Sequence, residues 1–171
     1  MTGTPAPLPG RYAVRPPRVA DAPVLGRIHV QIWREAYAGQ MPQDHLDALD
    51  VGRKVDQWRT TLSHPAPAGV RRLVGTFDGH VVGFVVVGPG RDEERPTPTE
   101  LQVLNLLAAH HGTGLADRLL AEALGNDPAY LWVLEGNPRA QRFYSRYGFA
   151  TDGARKAHQP TGAVELRMVR G

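Results

Sequence analysis

Three observations predict an α/β fold of the α+β kind, with a central mixed, mostly antiparallel sheet and helices packed against it. Two β-rich runs, RRLVGTF (71–77) and HVVGFVVVG (80–88), flank Asp78-Gly79, the strongest short-range hairpin signal a sequence offers. A short apolar run, Leu101, Val103, Leu104, Leu106 and Leu107, leads through Gly112-Thr113-Gly114 into Leu115, Leu119, Leu120, Ala123 and Leu124 at helical spacing. That unit is strand, glycine turn, helix. Further helical stripes precede the hairpin, and a strand, a helix and a last strand follow the turn.

In chain order, residues 1–10 have the composition of a disordered tail, and residues 11–171 are expected to form a single domain. Arg11 to Arg15 can form a first strand, which Pro16 and Pro17 end. Asp21 is an expected helix cap with Pro23 in the first turn, and Leu25, Ile28, Ile32 and Ala36 then recur on one face. Trp33 and Tyr37 lie four apart at the end of that helix, as packing or as a pocket wall. Gly39 to Pro42 break it. Leu46 and Leu49 suggest a short second helix, and Val51, Val55, Trp58 and Leu62 a third, closed by Pro65 and Pro67. After the hairpin, Gly88 to Pro98 reads as a solvent loop. The strand that begins at Glu100 is expected to end near Ala108, and Gly125 and Pro128 stop the helix after it. Tyr130 to Leu134 read as a strand, and Asn137 caps a helix with Pro138 first and Ala140, Phe143, Tyr144 and Tyr147 on one face before Gly148. Thr151 to Gly162 reads as a polar connection to a last strand, Val164 to Val169.

Composition narrows the chemistry. With no cysteine, disulfides, thiolate nucleophiles and cysteine-held zinc are excluded. Twenty Lys plus Arg against 17 Asp plus Glu give +3, too small an excess to point to nucleic acid. The seven histidines show no convincing metal spacing, so no metal is expected. No apolar run approaches the roughly 20 residues that span a bilayer, and the proline-rich start lacks the marks of a signal peptide. The expectation is a cytoplasmic protein without a membrane partner, and its arginine, alanine, glycine and proline usage fits a GC-rich bacterial genome.

The glycine turn has a physical use. The first turn of a helix leaves N–H groups without partners and carries partial positive charge, so bare backbone there can hold phosphate or pyrophosphate; the same glycines also serve a plain tight connection. A nucleotide triphosphatase loop needs Lys and Ser or Thr after its last glycine, and Leu115 and Ala116 stand there instead. A dinucleotide fingerprint finds an acidic residue, Glu135, about 20 residues on, but has Asp117 where a third small residue belongs.

A third reading rests on two motifs together. His111-Gly112-Thr113-Gly114-Leu115-Ala116 resembles the Gln/Arg-x-x-Gly-x-Gly/Ala turn of the GNAT superfamily of acyl-CoA N-acyltransferases, with His111 in place of the usual Gln or Arg. Downstream, Val133, Asn137, Arg139, Ala140, Phe143, Tyr144, Gly148 and Phe149 resemble that family's second motif. The resemblance runs from about Tyr12 to Arg170, strongly over 100–150. It implies a sheet of six to seven strands flanked by about four helices. It also implies acetyl-CoA as donor and direct transfer, through a tetrahedral intermediate, to a primary amine of a small molecule or of a peptide or protein.

By the same resemblance, Leu106, Leu107, Ala108, His111, Gly112, Thr113, Gly114, Leu115, Ala116, Asn137, Arg139 and Tyr144 would contact the donor. The backbone N–H near Leu106 would polarise the thioester. Tyr144 would protonate the departing thiolate, and Glu100 would act as general base through water unless it is merely a strand-end carboxylate. Trp33, Tyr37 and Glu135 would face the acceptor, Arg155, Lys156 and His158 would be solvated loop residues, and a homodimer is compatible. The alternatives are a catalytically silent acyl-CoA-binding module of the same fold and a nicotinamide-dependent oxidoreductase.

Overall fold

The structure is a computed structural model that describes residues 10–159 and 161–171. Apart from Gly10, the expected tail lies outside the described residues. The strands are β1 (Tyr12–Arg15), β2 (Arg71–Phe77), β3 (His80–Pro89), β4 (Thr99–Leu106), β5 (Ala129–Leu134), β6 (Ala150–Ala157) and β7 (Val164–Arg170). The helices are α1 (Ala22–Tyr37), α2 (Gln43–Asp47), α3 (Val51–Leu62), α4 (Leu115–Leu124) and α5 (Pro138–Ser145). One sheet runs β1-β2-β3-β4-β5-β7-β6, antiparallel throughout except for β4 beside β5. The mixed, mostly antiparallel sheet is as expected, with one strand more than the sequence patterns marked.

Both faces of the sheet are covered. On one, Leu25, Ile28 and Ile32 of α1 pack with Val74, Val81 and Phe84, and Trp58 and Leu62 of α3 close in behind. On the other, Leu115, Leu119, Leu120, Ala123 and Leu124 of α4 are 0–1% exposed against Val85, Val87, Leu101 and Leu131. Each such leucine contributes about 1.5–3 kcal/mol, as an upper bound, because its whole side chain leaves water. A central strand covered on both faces loses the polar alternation of a half-buried one, which is why β3 reads as an almost unbroken apolar run.

Three expectations are corrected. β6 was not legible because it is an edge strand: it is exposed along most of its length, pairs only with β7, and has a register shift between Thr151 and Arg155, so no apolar face marks it. β4 stops at Leu106 instead of Ala108, because the chain turns into a 3-10 segment at Ala108–His110. Asp21 does not cap α1 with its side chain. It turns back to take Arg15 Nη1 at 2.7 Å and the Arg18 N–H at 2.7 Å, and Arg15 holds its carboxyl below the usual carboxylate range.

Candidate active site

The parallel pair β4 and β5 touches in register only at Glu100↔Tyr130 and diverges beyond it. The backbone groups of β4 turned toward β5 are therefore released from the ladder. Leu107 N–H donates to Val82 O at 3.0 Å, so by antiparallel alternation Leu106, opposite Gly83, points its own N–H and C=O away from β3 and into this opening. The opening belongs to a groove of ≈ 2130 Å³. One wall is Gln102 to Leu106, another Trp132 to Leu134; α5, the glycine turn and the end of α1 complete the lining, with Glu35 of α1 taking the Ala108 N–H at 3.4 Å.

In the glycine turn, Gly114 is the N-cap of α4 with φ 85°, and Gly112 has φ 75°. Both lie in the left-handed region that side chains resist, which explains why the turn needs glycine at these two places. Thr113 Oγ1 donates to His110 O at 2.8 Å and so fixes the turn from within. The first main-chain bond of α4 is Arg118 N–H to Gly114 O at 3.0 Å. The N–H groups of the preceding first turn therefore have no helical partner; Leu115 N–H lies 3.5 Å from Thr113 Oγ1, and Gly112, Thr113, Gly114 and Ala116 line the groove.

His111 behaves in a way its sequence position did not announce. Its Nε2 lies 3.0 Å from Leu106 O, so that nitrogen carries the proton and donates, and Nδ1 accepts from Arg139 on α5. Burial and then the neighbouring Arg139 push its pKa down, which keeps the ring neutral. The histidine thus ties the end of β4 to α5 across the groove. Asn137 caps α5 by accepting the Ala140 N–H at 3.1 Å, which leaves its side-chain NH₂ free to donate.

Tyr144, from the aromatic face of α5, lines the groove, and its hydroxyl makes no hydrogen bond to the described residues. Burial first, and then nearby Tyr37, raise its pKa above the ordinary value, so the phenol stays protonated at any working pH. Glu100 is 2% exposed. Its Oε2 accepts from Arg91 N–H at 3.0 Å, Arg91 Nε at 2.9 Å and Tyr130 OH at 3.3 Å; Oε1 accepts from Arg91 Nη2 at 2.6 Å. Burial pushes this carboxyl up, but Arg91's hydrogen bonds and charge outweigh it and hold Glu100 below its usual range.

From the last turns of α1, Trp33 and Tyr37 meet edge to face with centroids 5.1 Å apart, and His158 lies 5.8 Å from Trp33. Met41 and Leu134 complete the apolar wall. Lys156 sits over the Trp132 ring at 4.0 Å, and Glu165 of β7 also lines the groove. Among the described residues no group of His, Asp and Glu could hold a metal ion, and no helix is long and apolar enough to cross a membrane.

The groove brings together Trp33, Tyr37, Glu100, Leu106, Ala108, His111, Gly112, Thr113, Gly114, Ala116, Asn137, Arg139 and Tyr144. Three expected residues stand outside its walls. Leu107 packs into the core, and Leu115 is fully buried beneath α4, so each could offer only backbone. Leu107's N–H is already used in the sheet. Glu135 points to solvent and pairs with Arg155 at 2.7 Å. Conversely, Lys156 and His158 are groove residues because β6 carries them there, and Arg91, Tyr130 and Glu165 were missed because no local pattern marks a residue placed by pairing between distant strands.

Comparisons with known proteins agree with this geometry. The model for the Acetyltransferase (GNAT) family matches residues 30–149. An uncharacterized N-acetyltransferase of Mycobacterium tuberculosis is 37% identical over 160 residues, covering 87% of this chain and 98% of that one. One from Bacillus subtilis is 30% identical over 145 residues, 78% of each. A mycothiol acetyltransferase of Rhodococcus jostii is 32% identical over 149 residues, of which 80% of this chain and 47% of that protein are covered. Among solved structures, PaiA N-acetyltransferase from Thermoplasma acidophilum, in complex with coenzyme A, has the same fold, with a TM-score of 0.68 at 17% identity over 93% of this chain and 98% of that one. The chain belongs to the GNAT family of acetyltransferases, enzymes of the acyltransferase class.

Proposed function

We propose that the protein transfers the acetyl group of acetyl-CoA directly to a primary amine. The observation that carries this reading is one groove with released main-chain donors at two points: the N-terminus of α4 for a diphosphate, and the Leu106 N–H, in the opening between β4 and β5, for a thioester carbonyl. Acetyl-CoA supplies an activated acyl thioester, and its flexible arm fits an opening lined by Leu104, Leu106, Val133 and Asn137.

The chain's own groups then meet the requirements of the transfer. An amine of ordinary pKa near ~10.4 is cationic at neutral pH and must lose a proton before it attacks. Glu100 is anionic throughout that range, and its Oε1, with a single hydrogen bond, retains a lone pair for a water that relays the proton. The Leu106 N–H stabilises the developing oxyanion. The Tyr144 phenol, protonated and unengaged, donates to the thiolate as the carbon–sulfur bond breaks. Because Glu100's carboxyl lies below its usual range, a rise in rate toward alkaline pH would report the amine's deprotonation and not that of Glu100.

The test is release of free coenzyme A thiol from acetyl-CoA across a panel of amines, together with calorimetric titration of coenzyme A. Binding plus amine-dependent release is expected. Binding without release across an unbiased panel would favour the silent acyl-CoA-binding module, and protection from thermal unfolding by NAD alone would overturn the reading.

A further inference from the structure

Five carboxylates line the groove: Glu35, Asp92, Glu100, Asp117 and Glu165. Four are engaged. Glu35 takes Gln31 Nε2 at 2.8 Å, Asp92 takes Trp132 Nε1 at 2.9 Å, Glu100 is held by Arg91 and Tyr130, and Asp117 accepts from the Tyr147 hydroxyl and from Arg146. Glu165 makes no hydrogen bond to the described residues, although its side chain is only 17% exposed. The nearest cation is Lys156, whose Nζ stands 3.9 Å away while also covering the Trp132 ring and lying 4.0 Å from Asp92. A largely buried carboxylate with no hydrogen bond, and with only a distant, shared ammonium as counter-ion, keeps acceptor capacity that a second charged donor would fill.

Its surroundings describe that donor. Glu165 sits in register with Leu134, whose side chain packs with Met41, Trp33 and Tyr37. His158 adds a third ring, held by Nδ1 to Thr161 Oγ1 at 2.9 Å. Glu135, which follows Leu134 in the chain, is already paired with Arg155.

Resting on the acetyltransferase reading, we infer that Glu165 anchors the ammonium group of the acceptor, and that the acceptor is a monoamine on an apolar skeleton that packs against the cluster of Trp33, Tyr37 and His158. Glu165 sets which amine enters, as its ammonium ion; that ion must release its proton through the water at Glu100 before its nitrogen attacks, and the rest of the chemistry remains with Leu106 and Tyr144.

The experiment titrates phenethylamine, hexylamine, spermidine, an uncharged tripeptide with a free N-terminus, and phenethyl alcohol into protein saturated with coenzyme A. Phenethylamine or hexylamine should bind best. Glu165→Gln should weaken them about tenfold or more, as the loss of a charge-assisted hydrogen bond does, and leave the alcohol and coenzyme A unaffected. Glu165→Asp should recover part of the affinity. In turnover, Glu165→Gln should raise KM for the amine while kcat changes little. Preference for spermidine or the tripeptide, amines binding no better than the alcohol, or Glu165→Gln binding amines like wild type would each overturn the inference. Failure of coenzyme A itself to bind would instead sink the acetyltransferase reading, and a thermal melt of each variant separates misfolding from lost contact.

Discussion

Replacing Tyr144 by Phe should lower activity and leave stability nearly unchanged, and the structure supplies both magnitudes. The hydroxyl faces the groove without a hydrogen bond to any described residue, so its removal orphans no partner and leaves the aromatic packing against Phe143 and Phe149 in place. Folding stability should therefore change by less than about 1 kcal/mol, the scale of a single hydrogen bond. Turnover should fall about 10²–10⁴-fold, the usual contribution of a placed general acid, equivalent to roughly 3–5 kcal/mol of barrier. The assay is thiol release with an accepted amine, run beside a melt and a coenzyme A titration, and affinity for coenzyme A should stay within about twofold, far below the tenfold that 1.4 kcal/mol represents. Burial, and then Tyr37, raise the phenol's pKa, so wild-type kcat should show no alkaline loss from this group below its ordinary value of 10.0. Normal turnover by Tyr144→Phe would refute its role as the acid.

Other perturbations have equally definite outcomes. Gly114→Ala forces a side chain to φ 85°, so it should cost about 1–2 kcal/mol of stability and, by disturbing N–H groups aimed at the diphosphate, weaken coenzyme A binding about tenfold or more by calorimetry. Glu100→Gln removes the charge that Arg91 pairs with and puts an amide NH₂ where one oxygen accepted, and should cost about 1–3 kcal/mol at pH 7. Because the folded carboxyl is held below its ordinary 4.5, that contribution is present above pH 4.5 and fades as pH falls, so melts of wild type and variant should converge in acid. The same variant should also lower kcat, by about a hundredfold, if its carboxylate receives the proton. His29, near Trp33, Trp58 and Phe84, is pushed down to about 4 by burial and then by Lys54. The unfolded chain takes up that proton below its ordinary 6.5, so wild type should lose stability between pH 6.5 and 4, and His29→Phe should flatten that slope.

What could be read in advance follows from the range of the interactions. The β2–β3 hairpin, the unit of β4, turn and α4, and the capped α5 are written in contiguous residues, because turn chemistry, caps and periodicity act over a few positions. The glycine turn before α4 and the place of Tyr144 on the aromatic face of α5 were legible for the same reason. β6 was hidden because an edge strand needs polar residues where a buried strand needs apolar ones. Glu165, Arg91 and Tyr130 were hidden because only strand pairing places them: β5–β7 brings Glu165 to the groove, and β3–β4 and β4–β5 bring Arg91 and Tyr130 to Glu100. His111 was legible as a departure from a pattern, but its bond to Leu106 O depends on where β4 ends.

The account stands on coenzyme A lying with its diphosphate at the mouth of α4 and its arm between β4 and β5. Amide nitrogen–proton correlation spectra recorded as coenzyme A is added test this most directly. The account expects the largest shifts at Gly112, Thr113, Gly114, Leu115 and Ala116, with a second set at Leu106 and Asn137. Saturable binding with those amides unmoved, and the shifts gathered on another face of the sheet, would contradict it.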